Sequence, residues 1–360
     1  MMKEYSRKKL NKSGAILKKK ILSLPVEPVK IEPGSRISSL VGSFKNSSIQ
    51  ARNIYQCANV FRKMLVDKKQ PTIYLGLAGP LIAAGLRDII RNMIKFRMVD
   101  VVVSTGAIIY QDIYQARGYK HYVGNPDADD RVLDKLYIDR IYDTYVDDEK
   151  FWDTDNWIGR VADTMEPGNY SSREFVAGLG SRLSDENSIV RTAYKYGVPV
   201  FVPALNDSSI GIGLTGHYHR CKENKLPGVH IDSIQDNYEI TQTIVRSKKT
   251  AAIYIAGGVP KNYINDAVVM GYIFNKDTGG HSYAFQLTVD VPHWGGLSGS
   301  TLKEATSWGK INNDADYAMA FVEPSVSMPL VYSYAFQEKF YKARRRKKFN
   351  WNKDILESIR

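Results

Sequence analysis

Short apolar runs alternate along the chain with longer stretches in which apolar positions recur every three or four residues. "TIYLGL" (72–77) and "VDVVVS" (99–104) flank the helix-period segment "PLIAAGLRDIIRNMIKF" (80–96). Further apolar runs follow at "VPVFV" (198–202), "GVHID" (228–232), "TAAIYIAG" (250–257), "SYAFQLT" (282–288) and "YAMAFV" (317–322). Between two of them "SIQDNYEITQTIVRSK" (233–248) has helical spacing. Strands that are apolar almost throughout are buried on both faces, as parallel strands covered by helices are. The pattern predicts an α/β fold: a mainly parallel, doubly wound, Rossmann-like sheet with helices on both faces.

Residues 110–195 are more charged and Tyr-rich, and read as loops and helices inserted between core strands. The first 35 residues end in "LPVEPVKIEPG" and read as an extended arm, because Pro25, Pro28 and Pro33 forbid a continuous helix. The expected organisation is a basic arm over 1–35, one α/β domain over 36–338 and a basic, solvated tail over 339–360.

A formal charge of +12 suggests a nucleic-acid partner until it is located. Eight basic residues against Glu4 in residues 1–20, and nine against Asp354 and Glu357 in 339–360, account for +7 each. The rest of the chain is −2, so its body offers no basic groove and no nucleic-acid partner is expected. No apolar run approaches the roughly 18 residues of a membrane span, and no membrane association is expected. The N-terminal "GAILKKKILSL" has neither an h-region nor a small-residue cleavage site. Cys57 and Cys221 lack metal-type spacing and suggest reduced thiols in a cytoplasmic setting.

In a doubly wound sheet, ligands bind beyond the carboxyl ends of the strands. Four runs end in small-residue turns: "STGAIIYQD", "PALNDSSIGIG", "AGGVPKN" and "VEPS". Such turns let a backbone approach a phosphate or a flat cofactor, but each alone is also an ordinary turn, and none matches the ordered G-x-G-x-x-G fingerprint. The segment "SGSTLKEATSWGKINND" (298–314) raises a second question. Lys310, between Trp308 and Ile311 with Gly309 before it, could be a desolvated nucleophile, or a helix-end cation complementing the macrodipole. Glu304 could be N3 of a capping box begun by Thr301, or could line a cation pocket with Trp308, its i+4 neighbour. His217 and His219 in "HYH" would point to opposite faces of a strand, and no metal site is expected.

The motif "EATSWGKI" closely resembles the active-site segment of deoxyhypusine synthases. "VDVVVSTG" resembles that family's strand and cofactor turn, "VPVFVPALNDSSIG" its Pro-Ala-Leu-x-Asp-x-Ser segment, and "AAIYIAGGVPK" its Gly-rich strand end. The similarity runs in order from about residue 72 to 338. It implies NAD-dependent transfer of an aminobutyl group from a polyamine such as spermidine, through an imine on Lys310, to a second amine. It further implies that Glu304, Trp308, Asn262, Asp290 and His293 contact the substrate. Cofactor contacts would come from Thr105, Gly106, Asp207, Ser209, Gly257, Gly258 and Glu323. A homotetramer built as a dimer of dimers, with sites at the dimer interface and an N-terminal arm able to cover the entrance, is implied as well.

The sequence departs from the family where the amine is held. Two aspartates correspond here to Ile212 and Leu297, the catalytic histidine to Asn262, and an acid contacting the cofactor to Gln111. A bound ammonium without a counter-ion is costly, so either the substrate differs or other groups have moved in, and Asp290, His293 and Asp236 are the candidates. The pattern resembles the bacterial deoxyhypusine-synthase-like branch. The expected reaction is transfer to a small amine, of homospermidine type; transfer to a protein lysine and non-catalytic NAD binding are the alternatives.

Overall fold

A computed structural model describes residues 9–360 of the chain. Six strands form its central sheet: β1 (Thr72–Leu77), β2 (Val101–Ser104), β3 (Val200–Phe201), β4 (Thr250–Ile255), β5 (His281–Leu287) and β6 (Ile311–Ala320). Their order is β6-β5-β4-β1-β2-β3, and every neighbouring pair is parallel. This is the doubly wound dinucleotide-binding order, with its switch point between β1 and β4.

Side-chain alternation explains the unbroken apolar runs. Ile73, Leu75, Leu77, Val102, Ile253 and Ile255 enter one core, beneath helices 49–66 and 324–337. Tyr74, Val101, Val103, Ala252 and Tyr254 enter the other, beneath helices 233–245 and 258–269. With both faces buried, no polar position is left to mark the period of two. Residues between β2 and β3 form helices 148–163, 172–182 and 189–196 and a small three-stranded antiparallel ribbon, in accord with an inserted middle third.

Several elements differ from the sequence pattern. In the 80–96 segment only Arg87–Lys95 is helical; residues 81–85 are turns ending at Gly85, whose φ of +79° breaks the helix. Residues 229–231 pair with 168–170 in a separate two-stranded sheet instead of joining the central one. "HYH" lies on helix 209–223, not on a strand. His217 is buried there, its Nδ1 2.6 Å from Asp163 Oδ1 and its Nε2 accepting the Val229 N–H. The Cys221 sulfur lies 3.6 and 3.8 Å from the two ring nitrogens, over a ring whose in-plane partners are already taken.

The two ends also depart from expectation. In the arm, Asn11 caps a ten-residue helix, Lys12–Ile21, that buries none of its residues; the proline-bearing stretch after it forms neither helix nor strand, and Pro33 sits in a turn. Residues 339–360 are not a solvated tail. Arg344 is 2% exposed, donating to Arg97 O and Pro71 O and pairing with buried Asp100. Beyond it, strands 349–352 and 355–359 form a hairpin. Trp351 packs under the Arg173 guanidinium at 4.1 Å, and Leu356 is fully buried. Among the described residues, no helix is long and apolar enough to cross a membrane.

Candidate active site

Three strands of the sheet run directly into helices at their carboxyl ends. Gly106 opens α1 (Gly106–Ala116) after β2, Ser209 opens α2 (Ser209–Glu223) after β3, and Gly258 opens α3 (Gly258–Val269) after β4. None of the three carries a side-chain N-cap bond, so their first-turn N–H groups and dipoles favour an anion. Thr105, Gly106, Asp207, Ser209, Gly257 and Gly258 thus all lie at one edge of the sheet. A Cβ on Gly106 would sit 2.2 Å from Ser208 Oγ, and one on Gly257 2.6 Å from Ser298 Cα, so both turns require glycine.

Glu323 lies at the same edge, after β6, but its carboxylate accepts the N–H of Ser325 at 2.8 Å and caps helix 324–337. Gln111 is buried in the second turn of α1, and its Oε1 has no hydrogen-bond partner among the described residues. Uncapped helix starts, close-packed glycines and an orphaned acceptor fit a dinucleotide laid across the switch point.

Lys310 sits at the opposite, amino end of β6, and α3 bridges the two regions. At 1.5 Å rise per residue, Asn262 and Asp266 lie about 6 and 12 Å along the axis from Gly258. Both meet the lysine: Lys310 Nζ is 3.1 Å from Asp266 Oδ1 and 3.3 Å from Asn262 Oδ1. Asn262 also donates to Asp266 Oδ2 at 2.7 Å, closing a three-residue network. The Trp308 ring centroid lies 5.4 Å from Lys310 Nζ, a cation–π distance. The lysine is enclosed, with a side chain 16% exposed. Asn262 and Asp266 line a cleft of about 520 Å³ whose apolar wall includes Ile234, Val259 and Leu297.

The remaining expected residues are placed less closely. Thr301 does accept the Glu304 N–H at 2.9 Å, as a cap would, but the helix is only Glu304–Ser307 and Glu304 is exposed, without a bond to Lys310. Asp290 and His293 are exposed in the loop after β5; His293 makes no hydrogen bond or ion pair among the described residues. Asp236 is deeply buried and lines a different cavity. Ile212 is exposed on α2, whereas Leu297 does line the cleft that Asn262 and Asp266 share.

Two residues that matter here were not singled out from sequence. Asp266 brings a carboxylate into the cleft that Leu297 also lines. Its only sequence signal is the i,i+4 spacing from Asn262 in "KNYIND". Lys261 is 1% exposed and donates to Gln286 Oε1, Ser300 O and Ser300 Oγ, tying α3 to β5 and to the turn bearing Leu297. Burial lowers its pKa to about 8, with Glu304 and Asp290 opposing the shift and Lys310 adding to it.

The family model described as deoxyhypusine synthase matches residues 39–335. The chain is 42% identical over 325 residues to "Probable deoxyhypusine synthase 2" of Methanosarcina acetivorans, covering 89% of this chain and 92% of the relative. It is 43% identical over 317 residues to a deoxyhypusine synthase-like protein of Chlorobaculum parvum, covering 86% and 89%. A deoxyhypusine synthase-like protein of Coxiella burnetii is 39% identical over 345 residues, covering 94% and 96%. In fold, the chain is similar to a crystal structure of a "putative deoxyhypusine synthase" from Entamoeba histolytica, with a TM-score of 0.62. That likeness covers 92% of this chain and all of the other at 19% identity.

Proposed function

The chain belongs to the deoxyhypusine synthase family, and on that premise we propose that it is an NAD-dependent transferase carrying an alkylamine unit on Lys310 between two amines. The observation that carries the reading is the enclosed Lys310, beside Trp308 and held by Asp266 and Asn262, two residues that themselves line an acidic-and-apolar cleft. A methylene chain ending in an ammonium suits that combination: Leu297, Val259 and Ile234 for the chain, Asp266 for the charge.

Lys310 Nζ, as the free amine, adds to the C=N carbon of an imine derived from the donor. The donor's own amine leaves, and the alkyl unit is held on the enzyme as a new imine. The acceptor amine then adds to that carbon and expels Lys310 unchanged. Asp266 holds the lysine in place between turnovers and accepts the ammonium of the incoming amine. When bound, NAD would supply the oxidation that makes an unactivated amine into an imine and the final reduction. Gly106, Ser209 and Gly258 would hold its phosphates, with Thr105, Asp207, Gly257 and Gln111 around them. Glu323, engaged with its own helix, would need to release Ser325 to join them.

The aliphatic residues at Ile212 and Leu297 support a small amine over a protein lysine as acceptor, since only one carboxylate, Asp266, has been added to the cleft. Mass-spectrometric product analysis with NAD and a panel of amines tests this. A homospermidine-type product from putrescine or spermidine is expected, and its absence after Lys310→Arg. Product formed only on a protein lysine would sink the small-amine assignment. A homotetramer with the cleft at a subunit interface, in a cytoplasmic setting, completes the proposal.

A further inference from the structure

Resting on the reading above, in which an amine occupies the cleft lined by Asn262 and Asp266, we propose that the C-terminal hairpin is a positioning element for that cleft. Through Gln242 and Arg173 it fixes helix 233–245, which forms one of the cleft's walls. The hairpin, strands 349–352 and 355–359, lies beyond residue 335, where the match to the family model ends.

Helix 233–245 has two working sides. Ser233, Ile234 and Asn237 line the cleft together with Asn262 and Asp266. At 3.6 residues per turn, Glu239, Gln242 and Arg246 fall on the opposite side, and there the hairpin attaches. Gln242, 3% exposed, uses both ends of its amide: Nε2 donates to Asp354 O at 2.7 Å, and Oε1 accepts the Leu356 N–H at 2.9 Å. Arg246 donates to Glu357 O at 3.2 Å.

Glu239 is held through a second residue. Its carboxylate, wholly buried, takes a bidentate pair from Arg173 at 2.6 and 3.0 Å. Arg173 in turn donates to Lys353 O at 3.0 Å and lies over the Trp351 ring at 4.1 Å. Successive carbonyls of the hairpin turn, at Lys353 and Asp354, are thus bound by side chains from helices 172–182 and 233–245. A buried carboxylate must keep its partner, and a two-ended amide bond fixes register, so the hairpin leaves the helix little freedom to slide or roll. Close packing carries a displacement on one side of a helix to the other, and Ile234 and Asn237 would move with it. The glycine and serine turns assigned to the cofactor, at 105–106, 208–209 and 257–258, lie on other segments. A hairpin acting only as a staple would affect both ligands through stability; a positioning hairpin affects the amine.

Titration calorimetry of the full chain with NAD alone, and with spermidine in the presence of NAD, tests the inference. Gln242→Met keeps the bulk and removes both bonds to the hairpin, and Trp351→Ala removes the ring beneath Arg173. Val41→Ala, at a fully buried site in helix 37–43 against helix 324–337, is the control for lost stability alone. Gln242→Met and Trp351→Ala are each expected to weaken spermidine binding about tenfold, with NAD binding within about twofold of wild type. Val41→Ala is expected to lower the melting temperature and to leave both affinities in place. Unchanged spermidine binding in the two hairpin variants, equal losses for NAD and spermidine, or the same selective loss in Val41→Ala overturns the proposal. Borohydride reduction with NAD and amine keeps the two readings apart. Labelling of Lys310 alongside unchanged spermidine binding in the variants sinks only the positioning role, whereas no labelling with any amine sinks the transferase reading itself.

Discussion

Lys310 is the residue on which the functional reading turns, and its neighbours define what it can do. A lysine 3.1 Å from a carboxylate is held as an ion pair, and it becomes a nucleophile only when it gives up its proton. On the proposed reading, an incoming ammonium that takes over Asp266 would dissolve that pair, so that substrate binding and lysine release would be one event. Asp266→Asn preserves the side-chain shape but not the charge. Because the Asp266 side chain is 45% exposed, the effect falls at the low end for a charged hydrogen bond, roughly a tenfold rise in KM for the amine. Steady-state kinetics with varied amine checks this, and an unchanged KM would assign the ammonium to another acid. At this scale the sequence was legible only where a residue belongs to a known motif. Lys310, Trp308 and Asn262 were found through resemblance and do meet. Asp266 was not, because an aspartate inside a helix has no distinctive spacing until its helix is packed against β6.

At the scale of elements, the sequence pattern located every central strand, since short unbroken apolar runs alternating with helix-period segments have few alternatives to a buried parallel sheet. It failed where a local pattern has two readings. Four apolar residues before Gly85 fit a helix as well as the turns they form, and "HYH" fits a strand until its neighbours wind it into α2. The largest misreading is the C-terminal segment, where a dense run of Arg and Lys looked solvated. Arg344 instead enters the core as the partner of Asp100, whose Oδ2 also accepts the Ile73 N–H at the start of β1. Composition cannot reveal such a pairing, because it depends on an aspartate more than two hundred residues earlier. Arg344→Ala leaves Asp100 as an uncompensated buried charge and is expected to cost about 3–5 kcal/mol. Urea denaturation measures it, and a midpoint equal to wild type would return the segment to the role of a free tail.

Across the whole molecule, the strand order β6-β5-β4-β1-β2-β3 puts the cofactor-type turns at one edge and the lysine at the other, with α3 spanning the gap. Strand identities could be read from sequence; their order could not, since it follows from how each crossover packs. The cleft is also bordered by large exposed apolar side chains, among them Ile234 (71%), Tyr272 (71%) and Trp308 (67%). Tyr272 lines both the cleft and an adjoining cavity that includes Trp308, so these residues form a connected patch of the kind that marks an interface. Light scattering is expected to give four times the chain mass of 40.7 kDa, and Tyr272→Glu to lower it. A mass of one chain would remove the interface from the account.

The central claim, that Lys310 carries the transferred unit, is tested most directly by covalent capture. Full-length protein incubated with NAD and spermidine is reduced with borohydride and mapped by peptide mass spectrometry. An aminobutyl adduct on Lys310 is predicted, absent without NAD and absent in Lys310→Arg. Turnover of the amine with no adduct on Lys310, or an adduct at another lysine that survives Lys310→Arg, would contradict it.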